Sequence, residues 1–217
     1  GTIMLSKKLI GSFMLAGPLL AIASLVLFEP GGDDQTFAQT LQRMSDNYTL
    51  ASISNVAWFV AVMMIFVGIY YLARSMQGEN KPGSDLAGLA SIFALLIAGI
   101  AMISMGLQLA VTERASSWVT SGGDALSAYA ISEAISRSIF VFDGIVMLLL
   151  GLAIVKQKNL SPIVGGFFAF FGACVLFGGM FSEGDNWAGM IWFIGFLGFP
   201  LTTATTGFLI LRSAIKK

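Results

Sequence analysis

Leu86–Val111 reads LAGLASIFALLIAGIAMISMGLQLAV, twenty-six residues without a formal charge. An α-helix needs about 20 mainly apolar residues to cross a hydrocarbon core of roughly 30 Å, so this stretch is long enough to span a bilayer. Ala90, Ala94 and Ala98 recur along it at every fourth position, and Gly106 continues the series eight residues on. Helices in lipid associate through close packing at small residues rather than through hydrophobic drive. The stripe therefore reads as a surface that builds a helical bundle, with a homo-oligomer interface as the sharper alternative.

Five further stretches flank this span: Leu9–Phe28, Leu50–Ala73, Ser138–Val155, Leu160–Phe181 and Ala188–Leu211. Lys7 and Lys8 precede the first one, as in a secretory signal. Its apolar run is longer than the roughly 7–15 residues of a signal core, and no convincing cleavage site follows, so it reads as a retained span. Composition agrees. Of 217 residues, 56% are hydrophobic and 11% charged, with a mean hydropathy of +0.84. Soluble domains carry about 25% charged residues. The expectation is an all-α polytopic membrane protein, a single domain over residues 1–217 with six transmembrane helices.

The positions of lysine and arginine set the expected orientation. With the N-terminus inside, the inner side holds Lys7, Lys8, Arg74, Lys81, Lys156, Lys158, Arg212, Lys216 and Lys217, and the outer side only Arg43, Arg114 and Arg137. The bias predicts both ends on the inner side of a cell membrane. Trp58, Trp118, Trp187 and Trp192 all fall in or near the outer half, where an interfacial aromatic belt places them. After the first span, Phe37, Leu41, Met44 and Tyr48 recur at helical spacing with Gln39, Gln42, Arg43 and Asp46 between them. That pattern predicts an amphipathic helix on the outer face. Asp124, after Ser121-Gly122-Gly123, suits the N-cap of a second outer segment that runs to Arg137 and either lies at the interface or lengthens the fourth span.

Several chemistries have no residues to carry them. There is no histidine, which removes His-ligated haem, copper and zinc and the usual general base. One cysteine allows no intrachain disulfide and no CxxC pair. No Walker, GxSxG or HExxH sequence occurs. Twelve basic and twelve acidic residues cancel, so nothing favours nucleic acid. No cofactor or metal is expected.

Asp143 is the one formal charge inside any of the six stretches. It lies five residues within the outer end of the fourth, about 8 Å deep at 1.5 Å per residue. Ser24, Asn55, Gln108 and Trp192 count to nearly the same depth on their own spans, and Arg114 sits just beyond the end of the third. Together these six residues form a candidate polar pocket open to the outer face, with Asp143 as its only acid. A structural hydrogen-bond cluster around one buried carboxyl is the alternative. No second intramembrane carboxyl is in view to support acid–base or di-metal chemistry. Thr202, Thr203, Thr205 and Thr206 can bond back to their own helix carbonyls and need no ligand. Cys174, among Phe170, Phe171 and Phe177, reads as a buried, inert thiol. Pro18 and Pro200 are expected to bend the first and sixth spans.

Asp143 is followed by Gly151-Leu152-Ala153, a turn at Lys156, then Leu160-Ser161-Pro162, Gly165-Gly166 and Gly172. This last third of the chain resembles a family of small six-helix bacterial and archaeal membrane proteins of unknown function. The resemblance implies the six-span layout and brings no activity or site residues. The resulting expectation is a non-enzymatic accessory or structural subunit, with the lipid bilayer and other membrane subunits as partners. The alternative is a small transporter or channel using the pocket around Asp143.

Overall fold

The structure, a computed structural model, describes residues 6–27, 36–121, 125–181 and 186–215; at 27, 114–121, 125–126 and 186 it describes the backbone alone. Every regular element among them is a helix: α1 Lys7–Leu27, α2 Phe37–Asp46, α3 Tyr48–Ser75, α4 Ser84–Ser121, α5 Ala125–Gln157, α6 Pro162–Phe181 and α7 Asn186–Ile215. All but α2 are long and apolar enough to cross a membrane. They form a closed ring in which each long helix packs on the next in the chain and α1 returns to pack on α7. Short connections force this order, because neighbours joined by a few residues must run antiparallel and side by side. We call the two ends of the ring the α2 end and the turn end.

The pattern of burial is inverted relative to a soluble helix. On α4 the buried positions among the described side chains are Ala87, Ala90, Ser91, Ala94, Ile97, Ala98, Ala101, Ser104, Gln108, Val111 and Thr112, a helical stripe of mostly small or polar residues that includes Ala90, Ala94 and Ala98. Its exposed face carries Leu89, Ile92, Leu95, Leu96, Met102 and Ile103. A contiguous exterior of this kind is stable only against lipid. Gly106 is not part of the buried stripe, contrary to the sequence reading, and a Cβ there would meet nothing within 4 Å. Strict four-residue spacing drifts on a 3.6-residue helix, so sixteen residues carry Gly106 about 160° away from Ala90.

Glycines set the closest approaches. A Cβ on Gly151 of α5 would lie 2.4 Å from the Ala169 nitrogen and 2.5 Å from the Gly165 oxygen of α6. One on Gly144 would lie 2.7 Å from the Gly172 oxygen. A Cβ on Gly207 of α7 would sit 2.7 Å from the Gly11 oxygen of α1, which fixes the ring closure at the turn end. At the same end, Gly83 starts α4 with φ of 78° and its Cα packed on Ala153, a left-handed turn that a side chain would strain. Gln157 Nε2 donates to the Met76 oxygen at 2.9 Å, which ties the α5–α6 turn to the α3–α4 turn.

The expected helix after the first span is α2, started by a capping box in which the Gln39 side chain accepts from Thr36 N and Thr36 Oγ1 accepts from Gln39 N. Leu41 and Met44 are buried with Ala51, Val111 and Tyr129, so α2 is seated on α4 and α5. Tyr48 does not belong to it and is the first residue of α3. Asp124 lies outside the described residues, but α5 is continuous from Ala125, so the segment to Arg137 lengthens the span.

Gly151→Leu is expected to lower the thermal midpoint in mild detergent by several degrees, because overpacking costs about 1–3 kcal/mol. Gly166→Ala, on a face with nothing within 4 Å, is expected to leave the midpoint within about a degree.

Candidate functional site

Asp143 does not sit near a helix end, as the span boundary at Ser138 implied, because α5 begins thirteen residues earlier at Ala125. Along this longer helix Tyr129, Glu133, Ser136, Phe140, Asp143, Met147, Leu150 and Ile154 alternate by four and three residues, which puts them on one face. Met147, Leu150 and Ile154 are fully buried in the bundle core. The half nearer the α2 end is polar, and it adds a second carboxyl, Glu133, from the segment expected either to lie at the interface or to lengthen the span. The premise of a lone intramembrane acid is thereby corrected. Ten residues of helix separate the two carboxyls by about 15 Å along the axis, too far to share a proton or a metal.

Both acids line a cavity of about 560 Å³ in the half of the ring nearer the α2 end. Its other walls are Ala21, Ile22, Leu25 and Val26 of α1, Trp58, Phe59, Val62, Ile65 and Phe66 of α3, Val175 of α6, and Phe196 to Leu201 of α7 except Gly198. Phe66 and Phe199, with ring centroids 6.1 Å apart, close it toward the turn end. The cavity is bounded by α1 on one side and α7 on the other. They meet at Gly11, Met14 and Leu15 against Gly207 and Leu211, whereas farther along α1 keeps to α3, with Ser54 Oγ donating to the Ser24 oxygen at 2.7 Å. Pro18 and Pro200 lie within α1 and α7. Ile22 and Val26 of α1 and Leu197 and Leu201 of α7 line the cavity and are also exposed on the surface. The cavity thus opens sideways between α1 and α7 onto the lipid-facing exterior.

The six residues singled out from sequence fall into separate places. Asn55 Nδ2 donates to Thr112 Oγ1 at 3.0 Å, Thr112 donates to the Gln108 oxygen at 2.8 Å, and Gln108 Nε2 donates to Glu133 Oε1 at 3.1 Å. This chain links α3 through α4 to α5, and the Tyr129 hydroxyl also bonds Glu133. Ser24 donates to the Ala21 oxygen of its own helix. Trp192 stacks on Phe196 and meets Phe140 edge-on, beside Gly178. It lines an adjoining groove with Arg137, Ser136 and Glu133. The Arg114 side chain lies outside the described residues. Of the five whose side chains are described, only Asp143 reaches the cavity; Glu133, Ser136 and Trp58 join it there, and the four-three repeat on α5 was the signal for the first two.

Asp143 is 4% exposed, and its Oδ1 has no hydrogen-bond partner among the described residues. Ser136 Oγ is also unpartnered. A buried polar atom without a partner costs about 1–3 kcal/mol, so the fold alone gives no reason to keep a carboxyl here. Thr202, Thr205 and Thr206 donate to the carbonyls four residues back, whereas Thr203 Oγ1, expected to do the same, has no partner among the described residues, nor do the buried hydroxyls of Ser104 and Ser132. Cys174 is half-buried rather than enclosed, because it lies at the α6–α7 seam beside Gly195.

No protein-family model, curated protein or solved structure matches the chain.

Asp143→Leu is expected to raise the thermal midpoint by the equivalent of about 1–3 kcal/mol, since it removes an unpartnered polar group. Gln108→Leu, which strips Glu133 of a donor, is expected to lower it by a similar amount. Thermal melts of both variants in one detergent check the pair.

Proposed function

We propose that the chain is a non-enzymatic multi-pass protein of a bacterial or archaeal cell membrane that takes a small, largely apolar molecule into the cavity ending at Asp143, as a carrier or transporter does. The observation that carries this reading is the sideways-open cavity with one unpartnered buried carboxyl oxygen at its inner wall. Ligand sites are typically concave and mostly apolar, with a few convergent polar groups, and this cavity has that character. The retained stability cost at Asp143 supports a functional demand on that side chain. In this reading the α2 end faces outward, because Lys7, Arg74, Lys81, Lys156 and Arg212 gather at the turn end and lysine and arginine favour the inner side. The accessory-subunit reading draws on the apolar exterior that every lipid-facing bundle has, and it requires a stoichiometric protein partner.

Native mass spectrometry after mild-detergent extraction distinguishes the two. The wild type is expected to carry a small molecule in stoichiometric amount, and Ala21→Phe, which fills the cavity from α1, is expected to lose it while keeping its melting midpoint within a few degrees. A chain that carries no more small molecule than the Ala21→Phe variant overturns the ligand reading. Stoichiometric protein partners would then establish the subunit.

A further inference from the structure

Deepening the cavity reading, on which it rests, we propose that the occupant is a lipophilic ammonium ion, an amine on an apolar body. It enters from the lipid between α1 and α7 and sets its N–H against the Asp143 carboxyl.

The chemistry of the lining points this way. Three residues of the lining carry side-chain oxygens, Glu133, Ser136 and Asp143, and two of them are carboxyls. Pro200, in the same wall, has no N–H to give the Phe196 carbonyl four residues back, which leaves a further acceptor on α7. Among the described residues no lysine or arginine lines the cavity, and Arg137, next to Ser136, lines the adjoining groove instead. A largely apolar wall whose only charged groups are two acids is poorly matched to an anion, and a neutral apolar molecule has no donor to offer the Asp143 carboxyl. A cation with an N–H supplies both the missing donor and a countercharge to a buried carboxyl.

The rest of the cavity suits the body of such a molecule. Trp58, Phe59, Phe66, Phe140, Phe196 and Phe199 present aromatic rings, and ring faces attract a cation most strongly when water is excluded. The sideways mouth, formed by exposed aliphatic residues of α1 and α7, admits a solute that has already partitioned into lipid. Glu133 is held by Gln108 and Tyr129, so it adds negative charge on the path while Asp143 keeps a free oxygen for the ligand. The same ammonium chemistry is offered by a free lipophilic amine and by the head group of an aminophospholipid.

Three probes share one ring system and differ only in the polar group: pyrenemethylamine, pyrenemethanol and pyrenecarboxylic acid. Energy transfer from tryptophan to pyrene reports occupancy in phosphatidylcholine nanodiscs, and a Trp58→Phe variant identifies the signal that arises in the cavity. One charge-assisted hydrogen bond is worth about tenfold or more over a neutral one. The amine is therefore expected to bind at least about tenfold tighter than the alcohol, with the carboxylate weakest. Asp143→Asn is expected to bring amine and alcohol to within about twofold while leaving the alcohol unchanged. Asp143→Leu serves the same purpose if the asparagine variant does not fold. Replacing half of the lipid by phosphatidylethanolamine separates the sources: a weakened amine marks the head group as the natural occupant, an unchanged one marks a free amine, and both sustain the ammonium assignment. Equal binding of amine and alcohol to the wild type overturns the assignment and leaves the cavity reading standing. No saturable, Trp58-dependent transfer from any probe overturns the cavity reading itself.

Discussion

The arrangement depends on where α1 meets α7. Every other pair of neighbouring long helices is joined by the chain itself, but these two lie at opposite ends of it and must find each other through packing alone. They do so at Gly11 and Gly207, where each backbone occupies the space a Cβ would take on the other. In lipid, where apolar surface gains nothing by leaving the solvent, such close backbone approach is the main attraction available. The glycine contact lies at the turn end, and nearer the α2 end residues of α1 and α7 line the cavity instead. The cavity opens sideways between them.

Around that opening the polar groups have sorted themselves by whether they are satisfied. Asn55, Thr112, Gln108 and Glu133 form a continuous hydrogen-bonded chain across three helices, and Thr202 and Thr206 of α7 turn back on their own carbonyls. These groups stabilise the bundle, because each buried donor among them meets an acceptor. The hydroxyls of Ser104, Ser132, Ser136 and Thr203 also lack partners among the described residues, but Asp143 is the one carboxyl in this state. Asp143 differs in chemistry and in place. It is as buried as the core aliphatics yet leaves an oxygen without a partner, and it does so at the wall of the one opening between α1 and α7. Proteins commonly concentrate such unsatisfied groups where a ligand completes them.

Burial and lipid exposure on the long helices follow a single rule. On α4 Leu89, Ile92, Leu95, Leu96, Met102 and Ile103 point outward, while Ala87, Ala90, Ala94, Ala98, Ala101, Ser91, Ser104 and Gln108 point inward with Ile97 and Val111. Small inward residues let backbones approach, and inward polar residues find partners that lipid does not offer. The same rule makes the stripe on α5 informative: its apolar half, Met147 to Ile154, fills the core, and its polar half, Tyr129 to Asp143, meets α2, α4 and the cavity.

Sequence alone determined the elements. Six spans follow from summed transfer free energies over about twenty residues, α2 from the spacing of Phe37, Leu41 and Met44, and the threonine back-bonds from local geometry; all are short-range quantities. The limits of α4 and α5 were not legible from hydropathy, because a window that seeks apolar runs stops at the first polar residues even when the helix continues through them. That hid Glu133 and Ser136, although their four-three repeat with Phe140 and Asp143 was present in the sequence. Only the tertiary structure decided that Ser24 and Asn55 bond elsewhere, that Trp192 stacks in an adjoining groove, and that Asp143 faces a cavity. Each of these depends on which pairs of helices touch and which part, and residues nearly two hundred positions apart, such as Gly11 and Gly207, carry no local signal of meeting.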